Sequence, residues 1–193
     1  MSEQFSTRRP RLHSSKRLLQ VVAELEAFGR GDWSTVYLDG CQFGLGVFAA
    51  RAIGSGESIL HFSGHHISFD EAVAKGNRQC YTLQCGLREY IDLEAPGCFV
   101  NHSCQPNSGV RGVQLIALRE IRTGEHICFD YSTTMEEDYW QMNCRCGAPS
   151  CRHVIGDFKY LPVSIQDVYI ARDVVLPVAV EAAKRWRLKE IAS

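Results

Sequence analysis

Long hydrophobic runs are missing from this sequence of 193 residues. No apolar stretch approaches the ~18 residues that a membrane-spanning helix needs, and the N-terminus lacks the apolar core of a secretory signal peptide. We therefore expect neither a membrane protein nor a secreted one, but a protein of a reducing intracellular compartment, cytoplasmic or nuclear. The net charge is only −1, so no overall basic field points to a nucleic-acid partner.

Internal repeats and low-complexity segments are missing as well. Hydrophobic residues make up 45% and charged residues 22% of the chain, which is a globular composition rather than a disordered one. The length predicts one domain with at most an appendage. A chain of this size buries enough surface to form a core without disulfide bonds.

Positive charge is concentrated at the start of the sequence. Residues 1–17 contain one acidic residue, Glu3, and five basic ones: Arg8, Arg9, Arg11, Lys16 and Arg17. We interpret this segment as a solvated, disordered arm. A transit peptide and an arm that contacts DNA or RNA are the alternatives, and nucleic acid is not expected to bind elsewhere.

The rest of the sequence divides into helical ends and a β-rich middle. Helical spacing predicts an N-terminal helix within residues 18–34, and further helices after Pro162 and over Val178–Ile191. The capping-box pattern Ser68–Glu71 predicts a short helix that ends at Gly76. Short apolar segments separated by turns predict strands at 46–48, 58–62, 81–83, 89–93, 113–118 and 126–129.

Nine cysteines are present, and an odd number without a signal peptide argues against a disulfide framework. Three of them, Cys144, Cys146 and Cys151, fall within eight residues. Zn²⁺ prefers four soft ligands in a tetrahedron, so this triplet lacks one, and Cys104 in another turn-rich segment is the best candidate for it. The other cysteines are expected to be small buried hydrophobic residues: Cys41, Cys80, Cys85, Cys98 and Cys128.

Four segments, in this order, resemble the SET-domain protein-lysine methyltransferases. Residues 44–50 (GLGVFAA) resemble the opening G-x-G segment, and residues 98–107 (CFVNHSCQPN) resemble the R-F-I-N-H-S-C-x-P-N signature. Residues 124–131 (GEHICFDY) resemble the G-E-E-L-x-F-D-Y segment, and residues 144–151 match the C-x-C-x4-C post-SET zinc motif.

The resemblance implies a mainly β fold, a SET-type knotted assembly of small sheets (β-clip) with helical N- and C-terminal extensions. It places the SET domain at residues 35–134, a post-SET zinc-binding segment at 135–156 and a C-terminal helical extension at 157–193. In the family, the cysteine of N-H-S-C joins the post-SET triplet. The implied Zn²⁺ ligands are therefore Cys104, Cys144, Cys146 and Cys151.

The implied reaction transfers a methyl group from S-adenosylmethionine to a lysine amine of a protein substrate, histone or non-histone. Tyr131 matches the catalytic tyrosine. The positions that match cofactor-binding residues are Phe43, Gly44, Leu45, Gly46, Tyr81, Phe99, Asn101, His102 and Tyr131. Phe62, Phe129 and Trp140 are expected in the lysine channel. A phenylalanine at position 129 leaves more room than tyrosine, which predicts di- or trimethylation.

Three positions depart from the family pattern. Cys98 replaces the arginine before F-I-N-H, Phe62 replaces a tyrosine, and Leu45 replaces the tryptophan of G-W-G. These changes motivate an alternative, a non-catalytic SET-type module that binds a partner or cofactor. A zinc-binding nucleic-acid protein is a third interpretation, disfavoured because no finger-type spacing with histidine follows the cysteines.

Overall fold

Short β-strands joined by turns make up much of residues 33–192, which are the residues that the computed structural model describes. The predicted basic arm and nearly all of the predicted N-terminal helix lie outside these residues. The strands are β1 (Val36–Cys41), β2 (Gly44–Ala49), β3 (Ser58–His61), β4 (Gly64–Ser68), β5 (Thr82–Gly86), β6 (Glu89–Leu93), β7 (Asn101–His102), β8 (Ser108–Arg111), β9 (Gln114–Ala117), β10 (His126–Phe129), β11 (Met142–Asn143) and β12 (Val154–Ile155).

The described strands form four small sheets. One sheet has the order β1-β2-β10-β7, and the others have the orders β3-β9-β8, β4-β6-β5 and β11-β12. In the first sheet, β2 pairs antiparallel with β1 and β10, whereas β10 pairs in parallel with β7. This parallel pair sets Asn101 opposite Cys128 and His102 opposite Phe129, so three sequence motifs meet in one sheet.

Three α-helices lie among the described residues: α1 (Phe69–Ala74), α2 (Val163–Ala171) and α3 (Pro177–Ala192). The predicted capping box of α1 is confirmed, because the Ser68 hydroxyl accepts from the Glu71 amide and the Glu71 carboxylate accepts from the Ser68 amide. Gly76 follows with φ at +56°, a backbone conformation that favours glycine. Short 3₁₀ helices span Gly76–Tyr81, Gly97–Phe99, Tyr131–Thr134 and Phe158–Tyr160.

Two large hydrophobic clusters hold most of these elements together. The larger one packs the strands around fully buried side chains such as Val47, Leu115 and Ile127. The second packs α2, α3 and Phe158 against the sheet that contains β9. Gly109 of β8 allows this close approach, since a Cβ atom there would lie 2.9 Å from the Cβ of Val174.

The structure confirms a mainly β assembly of small sheets with a helical C-terminal extension. No helix within residues 33–192 combines the length and the apolar character needed to traverse a lipid bilayer. The C-terminal helices pack against the sheet that contains β9, and Tyr169 of α2 also donates a hydrogen bond to Asp130, the residue after β10.

Candidate active site

The glycine-rich strand β2 is fixed to the short strand β7 by the side chain of Asn101. Its amide nitrogen Nδ2 donates to the carbonyl oxygens of Leu45 at 2.9 Å and Phe99 at 3.3 Å. A Cβ atom on Gly46 would lie 2.6 Å from His126 Nε2 and 3.1 Å from Asn101 Nδ2. The second glycine of the G-x-G segment is therefore required for this contact.

His102 connects β7 to the residue that follows β10. Its Nδ1 accepts from the Tyr131 amide at 3.2 Å, and its Nε2 lies 3.3 Å from Cys104 Sγ. Burial lowers the pKa of His102 to about 4, although Asp130 acts in the opposite direction. The imidazole is therefore neutral near pH 7, and these contacts assign its hydrogen to Nε2.

Tyr131 lies at the start of a 3₁₀ helix directly after β10. Its hydroxyl donates to the carbonyl oxygen of Val100 at 2.8 Å. Its ring centroid lies 4.9 Å from that of Phe129 and 6.4 Å from that of Trp140. Burial raises the pKa of Tyr131, so the phenol is neutral at physiological pH.

Asp130 is the centre of a buried hydrogen-bond network that the sequence analysis missed. Its side chain is 0% exposed. The Arg152 guanidinium donates to both carboxylate oxygens at 2.7 Å, the Tyr169 hydroxyl donates at 3.0 Å, and the Ser132 amide donates at 3.2 Å. This network joins the residue before Tyr131 to the cysteine segment and to α2. No local sequence pattern links such distant residues.

An open pocket lies in front of Tyr131. Phe129, Tyr131 and Trp140 line it together with Leu83 and Val100, so its inner wall is largely apolar. Its described lining also contains three carboxylates, of Glu136, Glu137 and Asp157, and no lysine or arginine. A pocket of this kind suits a side chain with an apolar stem and a basic end.

Phe62 was expected in this channel but does not line it. Its side chain is 1% exposed and packs behind Phe129, with ring centroids 6.0 Å apart. Gly97 lies against the Phe62 ring, which is held in the core. The structure thus corrects this expectation and leaves Phe129 and Trp140, with Tyr131, as the aromatic lining.

Residues expected at the cofactor occupy the neighbourhood of β2 and β7. Leu45 is buried in β2, and Phe99 is buried at the end of the 3₁₀ helix before β7. Phe43 is 39% exposed and Tyr81 is 38% exposed, and the Tyr81 ring packs edge-on against Phe99 with centroids 6.2 Å apart. Two accessible aromatic side chains therefore flank the sheet that carries Asn101 and His102.

Three cysteines form a cluster of possible metal ligands with His102. Donor atoms of His102, Cys104, Cys144 and Cys146 lie within 4.8 Å of one another, and the sulfurs of Cys104 and Cys144 are 3.8 Å apart. Three of the four predicted thiols thus belong to one donor group. Cys151 lies outside that group but packs against it, and its thiol shares side-chain hydrogen bonds with Cys144 and Cys146.

The other five cysteines do not share one environment. Cys128 is buried as expected, whereas Cys41, Cys85 and Cys98 are half-buried and Cys80 is exposed. The prediction of a buried thiol is therefore wrong for Cys80, because its 3₁₀ helix lies at the pocket. Cys98 also lines the pocket, and burial raises its pKa to about 12, which keeps the thiol uncharged.

Part of this chain is similar in sequence to known proteins. Residues 44–132 match the family model described as SET domain. Human histone-lysine N-methyltransferase 2B is 30% identical over 132 residues, and histone-lysine N-methyltransferase ash1 of Drosophila melanogaster is 33% identical over 132 residues. Each alignment covers 58% of this chain but only 5% and 6% of the respective relative, so the similarity concerns a small part of those proteins.

A solved structure is also similar to this chain in its fold. The methyltransferase domain of human histone-lysine N-methyltransferase SETMAR superposes with a TM-score of 0.50 at 22% identity. The match covers 61% of this chain and 55% of that chain. At this identity, the likeness concerns the fold alone.

Proposed function

Because residues 44–132 match the SET-domain model, we propose that the chain transfers methyl groups from S-adenosylmethionine to lysine side chains of a protein substrate. The observation that carries this proposal is the position of Tyr131, whose hydroxyl is fixed on the Val100 carbonyl at the wall of an aromatic pocket. The similar proteins are named histone-lysine N-methyltransferases, so a histone is the first substrate to test.

The transfer is a direct displacement, so the lysine amine must attack in its neutral form. A free lysine has a pKa of ~10.4 and is almost entirely protonated at neutral pH. The apolar surfaces of Phe129, Trp140 and Val100 would desolvate the amine, which lowers its pKa. The same walls restrict the side chain to few orientations, and positioning of this kind accounts for much of the rate of a two-substrate reaction.

Tyr131 is proposed to orient the amine. Its hydroxyl hydrogen is already donated to Val100, so the oxygen lone pairs are free to accept an N–H of the substrate amine. That contact directs the nitrogen lone pair away from the tyrosine. A phenol held neutral by burial performs this task without adding a negative charge that would favour the ammonium form.

The cofactor is proposed to bind beside β2 and β7, where the residues suit it. Gly44 has φ at +112° with open space around it, so a ligand could approach this backbone closely. Phe43, Tyr81 and Phe99 would offer aromatic surface. Asn101 fixes β7 to β2, and His102 fixes β7 to Tyr131 after β10. When bound, S-adenosylmethionine would supply an activated methyl group on a sulfonium.

The cysteine cluster is proposed to hold a structural Zn²⁺. Thiol sulfurs 3.8 Å apart fit a tetrahedral site, because Zn–S bonds of ~2.3 Å place neighbouring ligands about 3.8 Å from each other. We propose Cys151 as the fourth ligand rather than His102. The hydrogen of the neutral imidazole is on Nε2, and its one lone pair, on Nδ1, accepts from the Tyr131 amide.

Methylation beyond one group is proposed from Phe129. Its side chain is 5% exposed and lies beside the Tyr131 ring. A phenylalanine there adds no hydroxyl to the pocket, so the amine has room to rotate after the first transfer. We therefore propose that the products are di- or trimethyllysine.

The proposal is tested by incubating the chain with labelled S-adenosylmethionine and a mixture of core histones or a host protein extract. We expect the label on lysine side chains, identified by mass spectrometry of the modified proteins. Cofactor binding without transfer to any protein would instead favour the non-catalytic binding module.

A further inference from the structure

Glu136 stands out among the pocket's carboxylates because no described residue donates a hydrogen bond to it. Its side chain is only 14% exposed, and the nearest cation is Arg185 Nη2 at 3.9 Å. Glu137, in contrast, accepts from Gln84 Nε2 at 3.1 Å and from the Arg88 amide at 2.8 Å. Burial also raises the pKa of Glu136, although the charges of Lys159 and Arg185 act in the opposite direction, as expected for a carboxylate that has lost water without gaining hydrogen-bond donors.

A rigid backbone holds this carboxylate in place. The Glu136 amide donates to Gln84 Oε1 at 3.0 Å, and the Asp138 amide donates to Asp157 Oδ2 at 2.7 Å. The carbonyl of Met135 accepts from the Phe158 amide at 3.2 Å. Glu136 is thus anchored between β5 and the C-terminal extension, so its weak pairing does not come from a loose loop.

The surroundings of Glu136 are those of a cation site. Tyr139 and Trp140 line the same pocket, and Tyr139 is 51% exposed. Aromatic faces attract ammonium and guanidinium groups, and a carboxylate with unused acceptors forms strong charge-assisted bonds with them. No lysine or arginine of the described residues lines the pocket to use these groups.

We infer that Glu136 is a specificity-determining residue, which selects protein substrates that carry a basic residue beside the target lysine. This inference rests on the proposed function. The flanking residue is the better partner than the target amine, because a carboxylate at the reacting nitrogen would stabilise its unreactive ammonium form. Arg185, which lies 3.9 Å from Glu136, has a side chain that is 65% exposed, so the carboxylate has a neighbour that reaches the protein surface.

The test compares peptides that share one target lysine, taken from the substrate found in the transfer assay or, if no transfer is found, from a core histone. One peptide has neutral residues around the lysine. Each of four others has a single arginine, placed one or two residues before or after the lysine. For the wild type, we expect arginine at one of these positions to lower KM about tenfold or more relative to the neutral peptide. A factor of this size corresponds to the contribution of one charge-assisted hydrogen bond. Glu136→Gln should remove most of that preference while kcat stays within about twofold.

Two further variants make the test specific. Glu181→Gln removes an exposed carboxylate of α3 that pairs with Lys184, and it should keep the full arginine preference. Arg185→Gln removes the cation that competes for Glu136 and should strengthen the preference severalfold. Thermal unfolding of each variant shows whether the fold is retained.

Two results would overturn the inference. One is that the wild type has the same KM for the arginine peptides and the neutral one. The other is that Glu136→Gln raises KM for all peptides by the same factor. Fluorescence anisotropy of the same labelled peptides measures binding without catalysis. If no methyl transfer is found, the proposed function fails, but the binding preference still decides the role of Glu136.

Discussion

Asp130 is the buried charge on which the region around Tyr131 depends most strongly. Four donors reach its carboxylate, and two of them belong to Arg152, whose side chain is 16% exposed. Arg152→Gln would remove the only full positive charge among those donors and leave the Tyr169 hydroxyl and the Ser132 amide. Breaking a buried ion pair on one side typically costs ~3–5 kcal/mol. The slight exposure of Arg152 places our expectation at about 3 kcal/mol.

Urea unfolding of the purified variant measures this loss. Tyr169→Phe removes one hydrogen bond to the same carboxylate but no charge, so it should cost less, about 1.5 kcal/mol. Arg51→Gln breaks an ion pair with Glu57 whose side chains are 48% and 36% exposed, and it should change stability little. Metal content is measured in parallel, because the Arg152 amide also donates to Cys104 Sγ. A loss below ~1 kcal/mol for Arg152→Gln would refute this interpretation of the network.

Further predictions concern the acid range, the product and the metal. Arg119 lowers the pKa of Glu125 to about 2, so its stabilisation is present above pH ~4.5 and is lost as pH falls toward 2. Glu125→Gln should therefore lower the free energy of unfolding by about 1 kcal/mol at pH 7. If the variant is still less stable than the wild type by the same amount at pH 2, the prediction is contradicted. Phe129→Tyr should stop a saturated reaction at one methyl group by intact mass, and a wild type that adds only one refutes the proposal. Cys146→Ser should lower zinc content and activity together, and full activity without zinc would exclude the site.

Much of the fold follows from local patterns. The predicted strands 89–93 and 126–129 coincide with β6 and β10, and the capping box marks α1 correctly. Strand β4 escaped prediction because it is an edge strand with a mostly exposed Gly-His-His-Ile-Ser sequence. Apolar alternation does not reveal such a strand, since its backbone pairing with β6 defines it.

The sequence likewise predicts only part of the candidate site. Asn101 and Tyr131 each belong to a short motif, and the resemblance implied that they act at one site. In the structure β7 pairs with β10, and His102, the neighbour of Asn101, accepts from the Tyr131 amide. The partners of Asp130 and the exposure of Glu136 to the pocket depend on contacts between distant segments. The C-terminal helices, whose purpose no motif indicated, contribute Tyr169 and Arg185 to these contacts.

One pair of measurements on Tyr131→Phe decides whether this residue carries the chemistry. The variant loses the hydroxyl that Val100 holds in place but keeps the aromatic ring, so calorimetry should show S-adenosylmethionine binding close to that of the wild type. Methyl transfer to the substrate that the wild type modifies should fall at least ~100-fold, because the amine of the target lysine is no longer oriented. Unchanged transfer by Tyr131→Phe would contradict the proposed mechanism.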